Sequence, residues 1–134
     1  MTDFRSALAA GLGMAKRVEL NKKEIDDKFE YLSQMLYEGT SQSVVLVFTE
    51  NTSHKEAIIG NRVQNVYVVS QRNSDKGTKI GTVVRDESYG YPVSIEAASS
   101  KFVCKTAEEI EIAFSEIVQI GAVANAIFSL VDDA

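Results

Sequence analysis

Between Ser43 and Lys105 six short apolar runs rich in β-branched residues follow one another, and no link between them exceeds ten residues. They are Val44–Phe48, Ala57–Ile59, Val66–Val69, Ile80–Val84, Val93–Ile95 and Phe102–Val103. Parallel neighbours need a crossover of roughly a dozen residues or more, whereas antiparallel neighbours need only a turn. The span is therefore expected to form an antiparallel meander of five to six strands in near-sequential order. Val93-Ser94-Ile95-Glu96 alternates as a half-exposed strand does. Val44–Phe48 is apolar throughout and reads as a central strand covered on both faces.

Helical spacing flanks this region. Ile25, Phe29, Leu32 and Leu36 form one stripe. Asn21 with Glu24 reads as a capping box opening that helix, Leu20 and Ile25 as its hydrophobic staple, and Gly39 as its stop. Upstream, Phe4, Leu8, Gly11, Ala15 and Val18 share a second helical face, weakened by Gly11 and Gly13 at about 1 kcal/mol each relative to alanine. After the meander, Thr106-Ala-Glu-Glu109 is a further capping box, with acids where the helix dipole favours them. The order helix or helix pair, meander, long apolar C-terminal helix gives an α+β domain with helices on one face of the sheet. At 134 residues it is read as one domain, 1–134, with 1–19 as a loosely attached helical arm.

The final helix carries the chain's charge imbalance. The chain's last 29 residues hold six carboxylates and no Lys or Arg, while the other 105 carry 14 cations and 13 anions. Between the carboxylates, Ile117–Val131 has no charge, and on a single helical wheel the apolar arc spans roughly 240° against the ~100° of a surface helix. One sheet covers only one side of such a helix. Val123, Leu130 and Ile112 on its flank are therefore expected to meet a second copy in a homodimer.

The net charge of -5 argues against nucleic acid as a partner. No run of roughly 18 apolar residues suggests a membrane span, the N-terminus is a poor signal peptide, and the lone Cys104 forms no internal disulfide. A soluble cytoplasmic protein is expected. With one His and one Cys there is no zinc spacing, and no calcium or phosphate loop appears, so no metal or cofactor is expected. His54 reads as a turn residue and Cys104 as a small core residue, which leaves no catalytic constellation.

Recognition fits better than catalysis. Asp86 and Glu87 precede Tyr89-Gly-Tyr91, and aromatic residues on rigid loops anchor interfaces. Together with Glu111 on the final helix, these acids would steer a basic partner protein. The expected function is a small acidic protein-binding module that acts by occupying its partner, as immunity proteins, inhibitors and chaperones do. Two alternatives stand beside it. One is a small-ligand binder with a pocket between sheet and helices, where Tyr67, Cys104 or Gln119 supplies polar contacts. The other is a structural subunit of a phage or secretion assembly that uses its first helix as a docking arm.

Overall fold

The computed structural model describes residues 3–131. Helix α1 (Phe4–Gly39) is one continuous helix of 36 residues, about 54 Å long at 1.5 Å per residue. Its N-cap is Asp3, whose side chain accepts from the Arg5 amide at 3.0 Å and from Ser6 Oγ at 2.8 Å. The helix start expected at Asn21 does not occur. Glu19, Leu20, Lys22, Lys23 and Glu24 are all good helix formers, and without a Gly or Pro among them propagation outcompetes a local cap.

Five strands follow: β1 (Val44–Glu50), β2 (Arg62–Ser70), β3 (Gly77–Asp86), β4 (Gly90–Ala97) and β5 (Ser100–Cys104). They form one sheet in the order β1-β2-β3-β4-β5, every neighbour antiparallel, as the short links require. The sixth run, Ala57–Ile59, is not a strand. Most of it lies in a one-turn helix, α2 (Lys55–Ile58), because His54 Nδ1 accepts from the Glu56 amide at 3.1 Å and starts a turn that Gly60, at φ +107°, then ends. Between β2 and β3 the register slips at Val66/Tyr67, so Ile80 is the extra residue of a bulge, and its side chain is buried in the core.

β1 is an edge strand, not the central one expected. Its continuous apolarity has a different cause. Val44, Leu46 and Phe48 face the helices, while Val45 and Val47 lie half-buried across from Val69 and Tyr67. Helix α1 also seals much of the open edge. Ser33 Oγ accepts from the Leu46 amide at 3.1 Å and donates to the Leu46 carbonyl at 3.2 Å, and Thr40 Oγ1 accepts from the Val44 amide at 3.0 Å. Two hydroxyls, Ser33 on α1 and Thr40 at its C-cap, thus stand in for the missing neighbour strand.

The C-terminal region is two helices, α3 (Ala107–Ile117) and α4 (Gly121–Leu130), bent by 81°. Ile120 is extended at ψ 130°, and Gly121 restarts the helix. α3 buries Ile110, Ala113, Phe114 and Ile117, while α4 buries Val123 and packs Ala126, Ile127 and Leu130 on the core. The 240° arc came from projecting two helices with different buried faces onto one wheel. Val123, 4% exposed, and Leu130 are accounted for within a single chain, whereas Ile112 stays 54% exposed. Among the described residues no single helix is long and apolar enough to cross a membrane.

The core lies between the sheet's inner face and the helices. Val66, Val68, Val83, Val93 and Ile95 meet Ile25, Ile110, Phe114 and Ile117 there. Phe29 joins three elements, stacking on Phe48 at 4.5 Å between centroids and meeting Phe114 edge-on at 6.1 Å.

Candidate functional site

The β3–β4 turn fastens α1 to the sheet. Asp86 Oδ1 accepts from the Ser88 amide at 2.8 Å and the Tyr89 amide at 3.0 Å, which shapes the turn. Gly90 closes it at φ +88°, where a Cβ would sit 3.0 Å from the Asn21 Cβ, so glycine is needed on both counts. Asn21 Nδ2 donates to the Tyr89 carbonyl at 3.2 Å, and Lys22 pairs with Glu87 at 3.2 Å. Below the turn, Tyr91 Oη donates to Glu24 at 2.5 Å. Burial, then this carboxylate, pushes the phenol well above its ordinary pKa.

Arg85 is the buried centre of the attachment, 3% exposed. Its Nη1 donates to Asp26 at 2.7 Å and to Gln64 at 3.4 Å, and the guanidinium lies 5.8 Å from the centroid of the Phe29 ring. Arg62 grips Glu50 through two bonds, at 3.0 and 3.1 Å. These groups line a cleft of about 290 Å³ that contains four cationic and four anionic side chains. Charges that already answer one another in this way hold α1 in place, with the buried Arg85 reaching out to a half-exposed Asp26.

From this clamp α1 runs on into solvent. Every residue from Asp3 to Arg17 is exposed, including Phe4 at 77% and Leu12 at 63%, with Leu8, Met14 and Leu20 also open. The same pole displays Tyr89. Beside it lies the β1–β2 loop, joined by a shallow cavity lined by Glu87, Arg62, Ala57 and Asn61, with Ile58 and Ile59 largely exposed. Four of the residues singled out in the sequence, Asp86, Glu87, Tyr89 and Tyr91, therefore gather where the arm leaves the body. Asp86, Glu87 and Tyr91 are engaged in holding the pole together; the Tyr89 side chain points outward.

The remaining candidates lie apart. Glu111 is on α3, paired with Lys28 at 2.8 Å. His54 caps α2. Cys104 is buried in the core, its thiol pushed up to about 11 by burial and then by Glu109. Gln119 donates to the Ser115 carbonyl of its own helix end, and Tyr67 lies on the sheet face away from the helices, so the polar contacts suggested for a ligand do not converge. An apolar groove of about 290 Å³ does exist between α1, β1 and α3, lined by Leu32, Met35, Leu46, Phe114 and Val118. Among the described residues no three of His, Cys, Asp and Glu come together as a metal site.

Sequence reasoning missed the Arg85 clamp, although a signal was present. In Val83-Val84-Arg85 strand alternation puts Arg85 on the same face as the buried Val83. Comparison with protein-family models, with characterised proteins and with solved structures returned no match.

Proposed function

We propose that the protein is a docking module that acts by occupying another polypeptide, with the projecting half of α1 as its contact element. The observation that carries this reading is the seventeen-residue stretch Phe4–Leu20, about 25 Å of helix that bares Phe4, Leu8, Leu12, Met14 and Leu20. An isolated helix of this length is marginal in water, and Gly11 and Gly13 weaken it further. It is held in register by the clamp at Arg85, and an apolar stripe presented from a rigid base is half of an interface. Tyr89, Ile58 and Ile59 extend the surface at its root. Binding rather than catalysis is favoured by the states of His54, engaged as a helix cap, and of Cys104, whose thiol is held neutral. A cytoplasmic setting accords with that single unpaired thiol.

The test is capture by the full chain against its Leu8→Glu/Leu12→Glu variant. The variant should keep its folded spectrum and melting temperature, because Leu8 and Leu12 are both exposed, and should lose its bound protein. An unchanged set of captured proteins would refute the reading. The groove beside Leu32 and Phe114 favours one second reading, a small apolar ligand, which native mass spectrometry of the purified chain would detect as added mass.

A further inference from the structure

The exposed half of α1 carries its apolar and small residues at heptad spacing. Phe4, Leu8, Gly11, Ala15 and Val18 recur in alternating steps of four and three, and after Lys22 the rhythm runs on through Ile25, Phe29, Leu32 and Leu36. A single seam therefore follows the whole helix. Its C-terminal part is buried against the sheet and α3, whereas from Phe4 to Ala15 it is exposed and only Val18, at the junction, is half-buried. Heptad spacing is the pattern of helix packed on helix.

We infer that the exposed seam is filled by the same segment of a second copy, running antiparallel; this identification of the occupant rests on the docking role proposed above. Charge selects both the occupant and the direction. On one flank of the seam every seventh residue is Arg5, Leu12 and Glu19. In an antiparallel pair this flank meets itself, so reversal about Leu12 sets Arg5 against Glu19 at both ends and Leu12 against Leu12 in the middle. Within the seam Leu8 then faces Val18, and Gly11 faces Ala15 twice, small enough for the two backbones to approach closely. On the other flank Met14 meets Met14. Every large apolar side chain from Leu8 to Val18 is covered, and the surface is its own complement, as a two-fold contact requires. A parallel pair leaves Arg5 and Glu19 without each other. The antiparallel pair also suits the charge distribution. Residues 4–18 carry three cations and no acid in a chain of net charge -5, and reversal places the two acidic bodies at opposite ends of the joined arms.

Sedimentation velocity of the full chain at micromolar concentration tests this. A dimer is expected. Leu12→Glu brings two carboxylates together and should raise the dissociation constant at least about tenfold without altering the body's circular dichroism. Arg5→Glu and Glu19→Arg should each weaken association by a few-fold, and the double exchange should restore it, a rescue that a generic apolar contact would not show. A wild-type chain that stays monomeric over the whole range overturns the proposal, as does a double exchange no better than its parents. If the monomeric chain instead pellets with anionic phosphatidylserine vesicles through the arm, the occupant is a membrane surface and the second copy is refuted. A monomer that still loses another captured protein in Leu8→Glu/Leu12→Glu refutes the second copy alone, while a monomer whose capture ignores that variant refutes the docking role as well.

Discussion

Removing one hydroxyl tests how the sheet's first edge is closed. In Ser33→Ala the Leu46 amide and carbonyl both lose their partner, since Ser33 Oγ accepts from one at 3.1 Å and donates to the other at 3.2 Å. A neutral hydrogen bond contributes about 1 kcal/mol net, so the pair contributes about 2 kcal/mol. Alanine is the better helix former and returns about 0.5 kcal/mol of this. A net destabilisation of about 1.5 kcal/mol follows, which at a slope of about 2 kcal/mol per molar urea lowers the unfolding midpoint by about 0.7 M. Urea denaturation followed by circular dichroism reads that shift, and hydrogen exchange at the Leu46 amide should accelerate more than at its neighbours. Gln34→Ala, which removes only an exposed contact to Glu38, serves as the control and should stay within about 0.5 kcal/mol. A midpoint for Ser33→Ala that equals or exceeds wild type would show that water satisfies Leu46 as well as Ser33 does, and the closed-edge argument would fail.

Thr106→Ala should cost about 1 kcal/mol in the same assay, because Thr106 Oγ1 accepts from the Glu109 amide, whereas Asn21→Ala should cost less, since Asn21 lies inside a helix and caps nothing; equal losses would contradict this. Gly81→Ala should destabilise by about 2 kcal/mol or more, because the new Cβ would lie 2.5 Å from the Glu96 carbonyl oxygen, and a folded variant with an unchanged midpoint would mean that β4 yields freely. Above pH 9 stability should fall towards pH 11: Cys104 is raised to about 11 by burial, so the unfolded chain releases that proton first and gains from rising pH, and Tyr91 acts in the same direction. Cys104→Ala should flatten the slope, and an identical pH profile would remove Cys104 from the account. Val123→Glu should unfold the domain while Ile112→Glu is tolerated within about 0.5 kcal/mol, as chemical denaturation will show.

The meander was legible because link length is a hard geometric limit, and five of the six runs obeyed it. Ala57–Ile59 has the right residues, yet β-branching states only that a side chain suits a pleated surface, and here the His54 cap and the turn at Gly60 fold most of the run into α2. The two capping boxes show the same limit from another side. Thr106 follows a strand, so the backbone must turn and the cap is used; Asn21 sits among good helix formers, where a cap loses to one more turn of helix. The 81° bend leaves no local mark because Ile120-Gly121 is compatible with either a continuous or a broken helix, and it is the packing of Val123, Ala126, Ile127 and Leu130 on the core that accompanies the broken form. At the pole, Tyr89 and Asp86 were visible as turn residues, but their attachment at Asn21, 68 residues away in the chain, leaves no local trace.

A sheet grows into a fibre only if each added strand leaves a fresh edge behind it. At Val44 and Leu46 the outward backbone groups of β1 are already taken by Thr40 and Ser33, so one margin of the sheet has little to offer an incoming chain. The other margin is β5, five residues long and carrying Lys101. Edge-to-edge union of two such molecules would consume both of their open margins and present only the two closed ones. Polymerisation through the sheet therefore stops at a pair, and a protein that displays so much apolar helix to its surroundings can do so without its strands becoming a template for aggregation.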